Sequence, residues 1–395
     1  MVDAWSIEPL SHFTLCPLPD APCFNATAQI LNSEKMSTTH KKLGVALIGC
    51  GAISYVNAEA VQKSQNARLT YAVDVNLASA KTLGEKYSIP FTARLEEALS
   101  AREVDAVFIC TPHYLPAPIV EQAAAAGKHV IVEKPMGRNL EDSRKIVNAC
   151  RQAGVKLSVC YCMRYWDNIN IAKEFIDRGG LGKILGTEIM MSRDRTESYL
   201  QRNTWQEVNP NWHGVKAKSG GGLFIDNFSH YLDYFGHLTG LKIKWVMAKA
   251  DTFLIPADVE DTLMAVGAYS NGASCSIIAG SAIRGAGTEK NPRTINSLQR
   301  IWGEYGQILL EPELSLFSVK RIGEYEPGRW FRQKSRRWRA STGAGIGERK
   351  DFIDAFARAV REGREPEITG EDGLRVMEVI DAVYRSARTG EKIVL

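Results

Sequence analysis

The sequence predicts two domains, an N-terminal α/β domain with a doubly wound parallel sheet and a C-terminal α+β domain dominated by a sheet. Short apolar runs and helical patterns alternate from residue 43 to residue 160, which is the pattern of a parallel sheet covered by helices. Beyond Gly179-Gly180 the pattern changes to successive strands with few helices between them. We place the domains at residues 41–162 and 163–395, and we expect residues 1–40 to be a poorly ordered extension.

The composition is that of an ordinary globular protein. Of the 395 residues, 45% are hydrophobic and 24% are charged, and the formal net charge of +4 gives no reason to expect nucleic acid or an anionic membrane as a partner. No apolar run is long enough to span a bilayer, and the eight cysteines show no C-x-x-C spacing. No Lys or Arg precedes Lys35, so we expect no cationic targeting peptide. The scattered cysteines fit a reducing compartment, so we expect a cytoplasmic location, and we also expect no metal site.

A glycine turn between the first strand and the first helix is typical of a dinucleotide-binding site. The strand Leu43–Ile48 is followed by Gly49-Cys50-Gly51, and a helical pattern starts at Ala52 and Ile53. Gly49 allows the turn, and Gly51 lets the backbone approach a pyrophosphate. The free N–H groups and the positive dipole end of the helix then face that anion.

An acidic residue follows the second predicted strand, Arg68–Val73. The carboxylate of Asp74 can accept both ribose hydroxyls of an adenosine, and its charge would repel a 2′-phosphate. The sequence therefore favours NAD over NADP as the cofactor. Asp74 can also act as the cap of the next predicted helix, Leu77–Tyr87.

Two further loops follow the carboxyl ends of predicted strands, and they share one rim of the sheet. The strand Ala106–Ile109 is followed by Thr111-Pro112-His113, and the strand His129–Val132 by Glu133-Lys134-Pro135. Ligands of open parallel sheets bind outside this edge, and Pro135 keeps the backbone of Lys134 extended. We therefore predict that Thr111, Pro112, His113, Glu133 and Lys134 contact the cofactor.

A second chemical pattern lies in the C-terminal domain, where Gly220-Gly221-Gly222 precedes Asp226 and His230. The i, i+4 spacing puts both side chains on one face of a helix, within reach of the same small ligand. Histidine exchanges a proton near neutral pH, and a nearby carboxylate can orient it. The same spacing also occurs in purely structural pairs, so the spacing alone does not establish a site.

Together these motifs resemble the Gfo/Idh/MocA family of nicotinamide-dependent oxidoreductases, from about Lys42 to the C-terminus. The resemblance rests on Gly49-x-Gly51 with Asp74, on Glu133-Lys134-Pro135, and on the triple glycine followed by Asp226-x-x-x-His230. It implies a Rossmann domain and a C-terminal α+β domain built on a large open, mostly antiparallel sheet. It also implies a homo-oligomer, a dimer or a tetramer, and C-terminal helices that pack back on the Rossmann domain.

The resemblance implies roles for individual residues. Lys134 would lie beside the nicotinamide and the reacting hydroxyl, and Asp226 and His230 would complete the catalytic set and bind the substrate. Hydride leaves a carbinol carbon only as its hydroxyl loses a proton, so a base such as His230 lowers the barrier. Arg164 and Trp212 match family positions near the substrate, which in most members is a sugar, an inositol or a related polyol.

Three functions fit these residues. The first is an NAD(P)-dependent oxidoreductase that transfers a hydride between nicotinamide and a hydroxyl carbon of a sugar, inositol or polyol. The second is an NAD-dependent glycosidase, in which a transient oxidation acidifies the neighbouring C–H and elimination follows. The third is a non-catalytic NAD-binding sugar sensor or regulator. The complete set of Lys134, Asp226 and His230 argues against the third function, because a sensor need not keep proton-transfer groups.

Overall fold

The structure is a computed structural model that describes residues 41–192, 212–254, 256–281, 286–288, 291–293, 297–311, 313–333 and 346–395. The expected N-terminal extension, residues 1–40, lies outside the described residues. Of the helices in these ranges, none has both the length and the apolar character that a membrane span requires.

The N-terminal sheet consists of six short parallel strands, in the order β3-β2-β1-β4-β5-β6. The strands are β1 (Leu43–Ile48), β2 (Ala67–Val73), β3 (Phe91–Thr92), β4 (Ala106–Ile109), β5 (His129–Val132) and β6 (Leu157–Val159). β4 is buried along its whole length, and β1 and β5 are buried except at their first residues, because helices cover both faces of the sheet. The predicted doubly wound sheet is confirmed, and its order reverses between β1 and β4, where such sheets bind ligands.

Five helices connect these strands: α1 (Ala52–Lys63), α2 (Leu77–Tyr87), α3 (Leu95–Ser100), α4 (Pro116–Ala125) and α5 (Leu140–Ala153). Short polar side chains begin two of them. Asn76 accepts the N–H of Ala78 at the start of α2, and Asn139 accepts the N–H of Asp142 at the start of α5. The cap of α2 is therefore Asn76, and the idea that Asp74 caps this helix is wrong.

The C-terminal domain is built on a nine-stranded open sheet with the order β16-β15-β14-β13-β7-β10-β9-β8-β17. In chain order the strands after β6 are β7 (Ile184–Ser192), β8 (Ile243–Asp251), β9 (Thr262–Tyr269), β10 (Ser274–Gly280), β11 (Ala286–Thr288), β12 (Asn291–Arg293), β13 (Ser297–Gly303), β14 (Gly306–Glu311), β15 (Leu314–Ser318), β16 (Trp330–Gln333) and β17 (Ile393–Val394). β7 and β10 are parallel, and the other pairs of this sheet are antiparallel. The mostly antiparallel sheet is confirmed, and β11 and β12 form a separate pair.

The helices of this domain are α6 (Asp167–Asp177), α7 (Lys216–Ser219), α8 (Ser229–Thr239), α9 (Ile346–Arg361) and α10 (Gly370–Thr389). α10 begins with a reciprocal capping box between Thr369 and Asp372. The two last helices lie against the N-terminal domain. On α9, Asp354 accepts a hydrogen bond from the hydroxyl of Ser64 just after α1, and α10 begins so close to β6 that a Cβ at Gly370 would lie 2.4 Å from Leu157.

Candidate active site

Lys134 and Asp226, which lie in different domains, are in direct contact. Lys134 follows β5, and its ammonium donates to Asp226 Oδ1 at 2.9 Å and to the Asp226 carbonyl oxygen at 2.7 Å. The side chain of Lys134 is 18% exposed, and that of Asp226 is 13% exposed. This ion pair fixes the lysine amine at the carboxyl edge of the parallel sheet. The Lys134–Pro135 peptide bond is cis.

Asp226 lies in a single turn of π-helix, Phe224–Phe228, that continues directly into α8. Single π-turns within helices are frequent at functional sites. A spacing of four residues is slightly more than one turn of an α-helix and slightly less than one turn of a π-helix. Asp226 and His230 therefore lie on the same face of the helix. His230 is 8% exposed, and its ring meets the ring of Tyr161 edge to face, with the centroids 6.0 Å apart.

The triple glycine is required by close packing before the π-turn. A Cβ at Gly220, Gly221 or Gly222 would lie 1.9, 2.1 or 1.9 Å from Arg138 O, Tyr384 Oη and Glu260 O, respectively. Gly220 also has a φ of +87°, which an L side chain rarely adopts. Gly220 therefore lets this segment approach the loop that carries Lys134, and Gly221 and Gly222 let it approach Tyr384 and Glu260.

Glu260 holds the start of this turn, although nothing in the sequence around it suggests such a role. Its buried carboxylate accepts the N–H groups of Gly222 at 2.8 Å and Phe224 at 3.0 Å, and the hydroxyl of Tyr384 at 2.9 Å. Burial raises the pKa of Glu260, and these three hydrogen bonds oppose the rise. Glu260 and Tyr384 thus position Asp226 from distant parts of the chain.

Glu133, which we expected to contact the cofactor, instead faces the interior and is 8% exposed. Its Oε1 accepts from Asn57 Nδ2 at 2.9 Å and from Arg349 Nη1 at 2.7 Å, and its Oε2 accepts the backbone N–H of Lys134 at 3.1 Å. Burial alone would raise the pKa of Glu133, but Arg349, Asn57 and Lys134 together hold it below its usual range. Glu133 therefore anchors the backbone of Lys134.

Arg164, which we expected to bind substrate, is instead held in a buried ion-pair network. Its Nε donates to Asp233 Oδ2 at 2.8 Å, and its Nη2 lies 2.5 Å from Asp233 Oδ1 and 3.3 Å from Asp372 Oδ1. Burial raises the pKa of Asp233 to about 6, against the opposing effect of Arg164. We therefore remove Arg164 from the substrate-binding set and assign it a supporting position on the Asp233 side of α8.

His113 and Trp212 form an aromatic wall between the two domains. The Nδ1–H of His113 donates to the carbonyl oxygen of Ser219 at 2.8 Å, which joins the end of β4 to the end of α7. The ring of Trp212 meets His113 edge to face at 4.6 Å and stacks on His213 at 3.6 Å. Such a surface suits the C–H face of a sugar ring.

The glycine turn fits the diphosphate of a dinucleotide. Gly49 has a φ of +94°, and a Cβ there would lie 2.9 Å from the backbone of Cys110, across the β1–β4 switch point. α1 starts after Gly51 with no side-chain cap and no acidic residue in its first turn, and Ala52 and Ile53 are exposed. Its first N–H groups are therefore open to an anion.

Two other polar groups at this edge fit the cofactor. Thr111 follows β4 beside Pro112, and its buried hydroxyl has no hydrogen-bond partner among the described residues. Asp74 is half-buried, and its oxygens accept the N–H groups of Cys50 at 2.7 Å and Asn76 at 2.8 Å. A carboxylate has about four acceptor positions, so about two remain for a ribose. In the part of the chain that the structure describes, no group of three or more His, Cys, Asp or Glu is arranged to hold a metal ion.

A doubly wound sheet with an open glycine turn, joined to a lysine, aspartate and histidine from a second domain, is the arrangement of a two-domain nicotinamide-dependent oxidoreductase. The model of the oxidoreductase family with an NAD-binding Rossmann fold matches residues 43–161, and that of the C-terminal alpha/beta domain matches residues 173–395. The chain therefore belongs to the Gfo/Idh/MocA oxidoreductase family, as the sequence motifs predicted.

Several characterised proteins are similar to this chain. Inositol 2-dehydrogenase of Rhizobium meliloti is 27% identical over 356 residues, which cover 88% of this chain and 97% of the relative. 2,7-Anhydro-N-acetylneuraminate hydratase of Mediterraneibacter gnavus is 28% identical over 202 residues, 51% of this chain and 50% of the relative. The chain spans about half the length of several curated relatives that it matches. The WlbA dehydrogenase of Bordetella pertussis has the same fold, with a TM-score of 0.73, 27% identity and coverage of 90% of this chain and 99% of that chain.

Proposed function

We propose that this protein is an NAD-dependent dehydrogenase that transfers a hydride between nicotinamide and a hydroxyl carbon of a sugar, inositol or related polyol. The observation that carries the proposal is the Lys134–Asp226 ion pair, with His230 on the same face of the helix, at the carboxyl edge of the parallel sheet. The similar inositol dehydrogenase, and the similar WlbA dehydrogenase in complex with NADH and UDP-GlcNAcA, support this substrate class.

The chain's own residues have separate tasks in this reaction. When bound, the nicotinamide supplies the hydride acceptor. His230 takes the proton of the substrate hydroxyl, and the Lys134 ammonium stabilises the negative charge that develops on the oxygen. Asp226 holds that ammonium in place through the 2.9 Å contact. Trp212 packs on the substrate and excludes water, and the ring of His113 supports the indole edge to face.

The cofactor preference depends on Asp74. In Asp74→Ala we expect the affinity for NAD to fall by about 10- to 100-fold, because charge-assisted hydrogen bonds to the ribose are lost. The affinity for NADP should change much less, because the substitution also removes the repulsion between the Asp74 carboxylate and the 2′-phosphate. Titrations with both cofactors measure the two affinities. The loss of the Cys50 and Asn76 contacts affects both cofactors, so an unchanged affinity ratio would show that Asp74 does not contact the ribose.

We also propose a homo-oligomer that forms through the open face of the C-terminal sheet. Met247, Met264 and Val266 lie on the neighbouring strands β8 and β9 and are 48%, 56% and 53% exposed, and an apolar patch of this kind marks an interface. We expect the protein to sediment as a dimer or tetramer and Val266→Lys to sediment as a monomer. Val75→Lys, at an 81% exposed position of the N-terminal domain, is the control. A monomeric wild type would contradict this proposal.

A redox-neutral reaction with retained cofactor is the second candidate, and similarity to the hydratase favours it. A screen separates the two candidates. The protein is mixed with NAD⁺ or NADP⁺ and with inositols, aldoses, glycosides and aminosugars, and the absorbance of reduced nicotinamide is followed. Steady reduction with one substrate class is the expected result. No reduction in protein that binds NAD, together with release of sugar from an aryl glycoside, would support the glycosidase-type reaction instead.

A further inference from the structure

Four titratable residues form a stripe that leads away from the proposed catalytic site. Asp226, His230, Asp233 and His237 follow one another at intervals of four, three and four residues, along the π-turn and α8. This spacing places them on one face of the helix. The stripe therefore continues beyond His230 for almost two turns.

The far end of the stripe reaches a cavity behind α8. The cavity has a volume of about 640 Å³ and lies between α8, the C-terminal sheet and α10. Asp233 and His237 line it, whereas Lys134, Asp226 and His230 do not. The exposed Lys242 and Lys244 are among its lining residues, so the cavity opens to solvent there.

Tyr161 contacts the ring of His230 and lies within reach of the charges of Asp233 and Arg164. Its side chain is 0% exposed, its ring meets His230 edge to face, and its hydroxyl has no hydrogen-bond partner among the described residues. Burial raises the pKa of Tyr161, the charge of Asp233 raises it further, and Arg164 opposes both. Buried tyrosine hydroxyls are usually paired, and an unpaired one costs stability, so this position calls for a functional explanation.

We propose that Tyr161 and Asp233 form a proton path from His230 to the cavity behind α8. This inference rests on the proposed dehydrogenase function. In the oxidation the C–H bond breaks as hydride goes to the nicotinamide, the O–H bond breaks as the proton goes to His230, and a carbonyl forms. No described group lies within hydrogen-bond distance of the Tyr161 hydroxyl, so each transfer runs through a water molecule. His230 passes a proton through one water to the Tyr161 hydroxyl, Tyr161 passes its own through another to Asp233, and Asp233 releases it to solvent in the cavity. In the reduction the same steps run in reverse.

The charges around the path suit this task. The groups that face Asp233 are Tyr161, Arg164, Asp372 and Arg375, and those that face His237 are Arg164, Lys173, Asp177 and Asp372. With a pKa of about 6, the buried Asp233 can bind a proton and release it near neutral pH. Burial, together with Arg164 and Lys173, lowers the pKa of His237 to about 4, so this residue stays neutral and does not repel a proton.

Tyr161→Phe tests the path. We expect kcat to fall by about tenfold or more, with KM and NAD affinity unchanged, because proton transfer is slowed while both binding sites remain. The thermal midpoint should not fall, because the lost hydroxyl had no partner. Tyr234→Phe is the matched control, since it removes a buried hydroxyl on α8 that donates to Gln299 away from the path. It should lower stability and leave kcat unchanged.

A variant that fills the cavity tests the proton path independently. A Cβ at Gly236 would meet no atom within 4 Å, and Gly236 lines the cavity, so Gly236→Phe should obstruct it and lower kcat, whereas Gly236→Ala should not. If wild type reduces nicotinamide but Tyr161→Phe keeps its kcat and pH profile, the path is overturned and the proposed function stands. If wild type shows no turnover, NMR titration of labelled histidines tests whether Tyr161 is coupled to His230. The His230 titration should then shift in Tyr161→Phe, and an unchanged titration would overturn the path.

Discussion

Lys134→Met should lower kcat by a factor of about 10²–10⁴, the range that a positioned charge or proton-transfer group supplies, while the affinity for NAD should stay near wild type. Methionine keeps the length and the apolar stem of lysine but has no ammonium. The developing alkoxide then loses its stabilising charge, whereas the glycine turn and Asp74, which we assign to the cofactor, are unchanged. Steady-state kinetics measure kcat, and a fluorescence titration measures cofactor affinity.

Lys81→Met is the matched control for this experiment. Lys81 lies on α2 with its side chain 57% exposed and forms a surface ion pair with Glu85, so its loss should change neither quantity. Because Lys134→Met also leaves Asp226 without its cation, the thermal midpoint must be measured alongside the kinetics. Normal turnover in a folded Lys134→Met protein would exclude Lys134 from the chemistry.

Local signals in the sequence explain why the N-terminal domain was predicted well. Buried parallel strands are short apolar runs between polar or glycine-containing segments, and the predicted limits of β1, α2, β4 and β5 agree with the structure residue for residue. The strand β16 lacks such a signal, and it pairs with β15 at the edge of the second sheet. Such an edge strand depends on its neighbour, and its own sequence carries no alternating pattern.

The same distinction holds for the site. Lys134, Asp226 and His230 lie in recognisable motifs, so the sequence could bring them together. Glu260 and Arg349 could not be found this way, because their partners lie 36 to 292 residues away and neither belongs to a local pattern. The predicted substrate role of Arg164 failed for a similar reason, since its carboxylate partners come from α8 and α10.

Arg349→Met should destabilise the protein by about 3–5 kcal/mol at neutral pH, the range observed when one partner of a buried ion pair is removed. Arg349 is 9% exposed, and its guanidinium donates to Glu133, to Asn57 and to the sulfur of Cys160. Without it, the Glu133 carboxylate stays buried and is left with the Asn57 amide and Lys134. Urea unfolding measures the loss. Arg364→Met, which breaks the exposed pair with Glu362, should leave the midpoint near wild type.

The pH dependence of the stability lost in Arg349→Met distinguishes two causes, the unpaired charge of the buried Glu133 carboxylate and the simple loss of packing. In wild type the pKa of Glu133 is depressed, so its stabilising contribution is present above the unfolded value of about 4.3 and is lost as the pH falls through the folded value. In Arg349→Met burial dominates and raises this pKa, so the folded state binds the proton more tightly than the unfolded chain. The stability difference between the two proteins should therefore narrow as the pH falls toward about 4.

A second substitution tests the same cause at neutral pH. Adding Glu133→Gln to Arg349→Met should recover part of the stability, because it removes the charge that the first substitution stranded. Turnover should stay low in both proteins. In neither of them is the backbone of Lys134 anchored by a Glu133 carboxylate that Arg349 holds in place. A loss that is the same at every pH, with no recovery in the double variant, would show that Arg349 acts through packing alone.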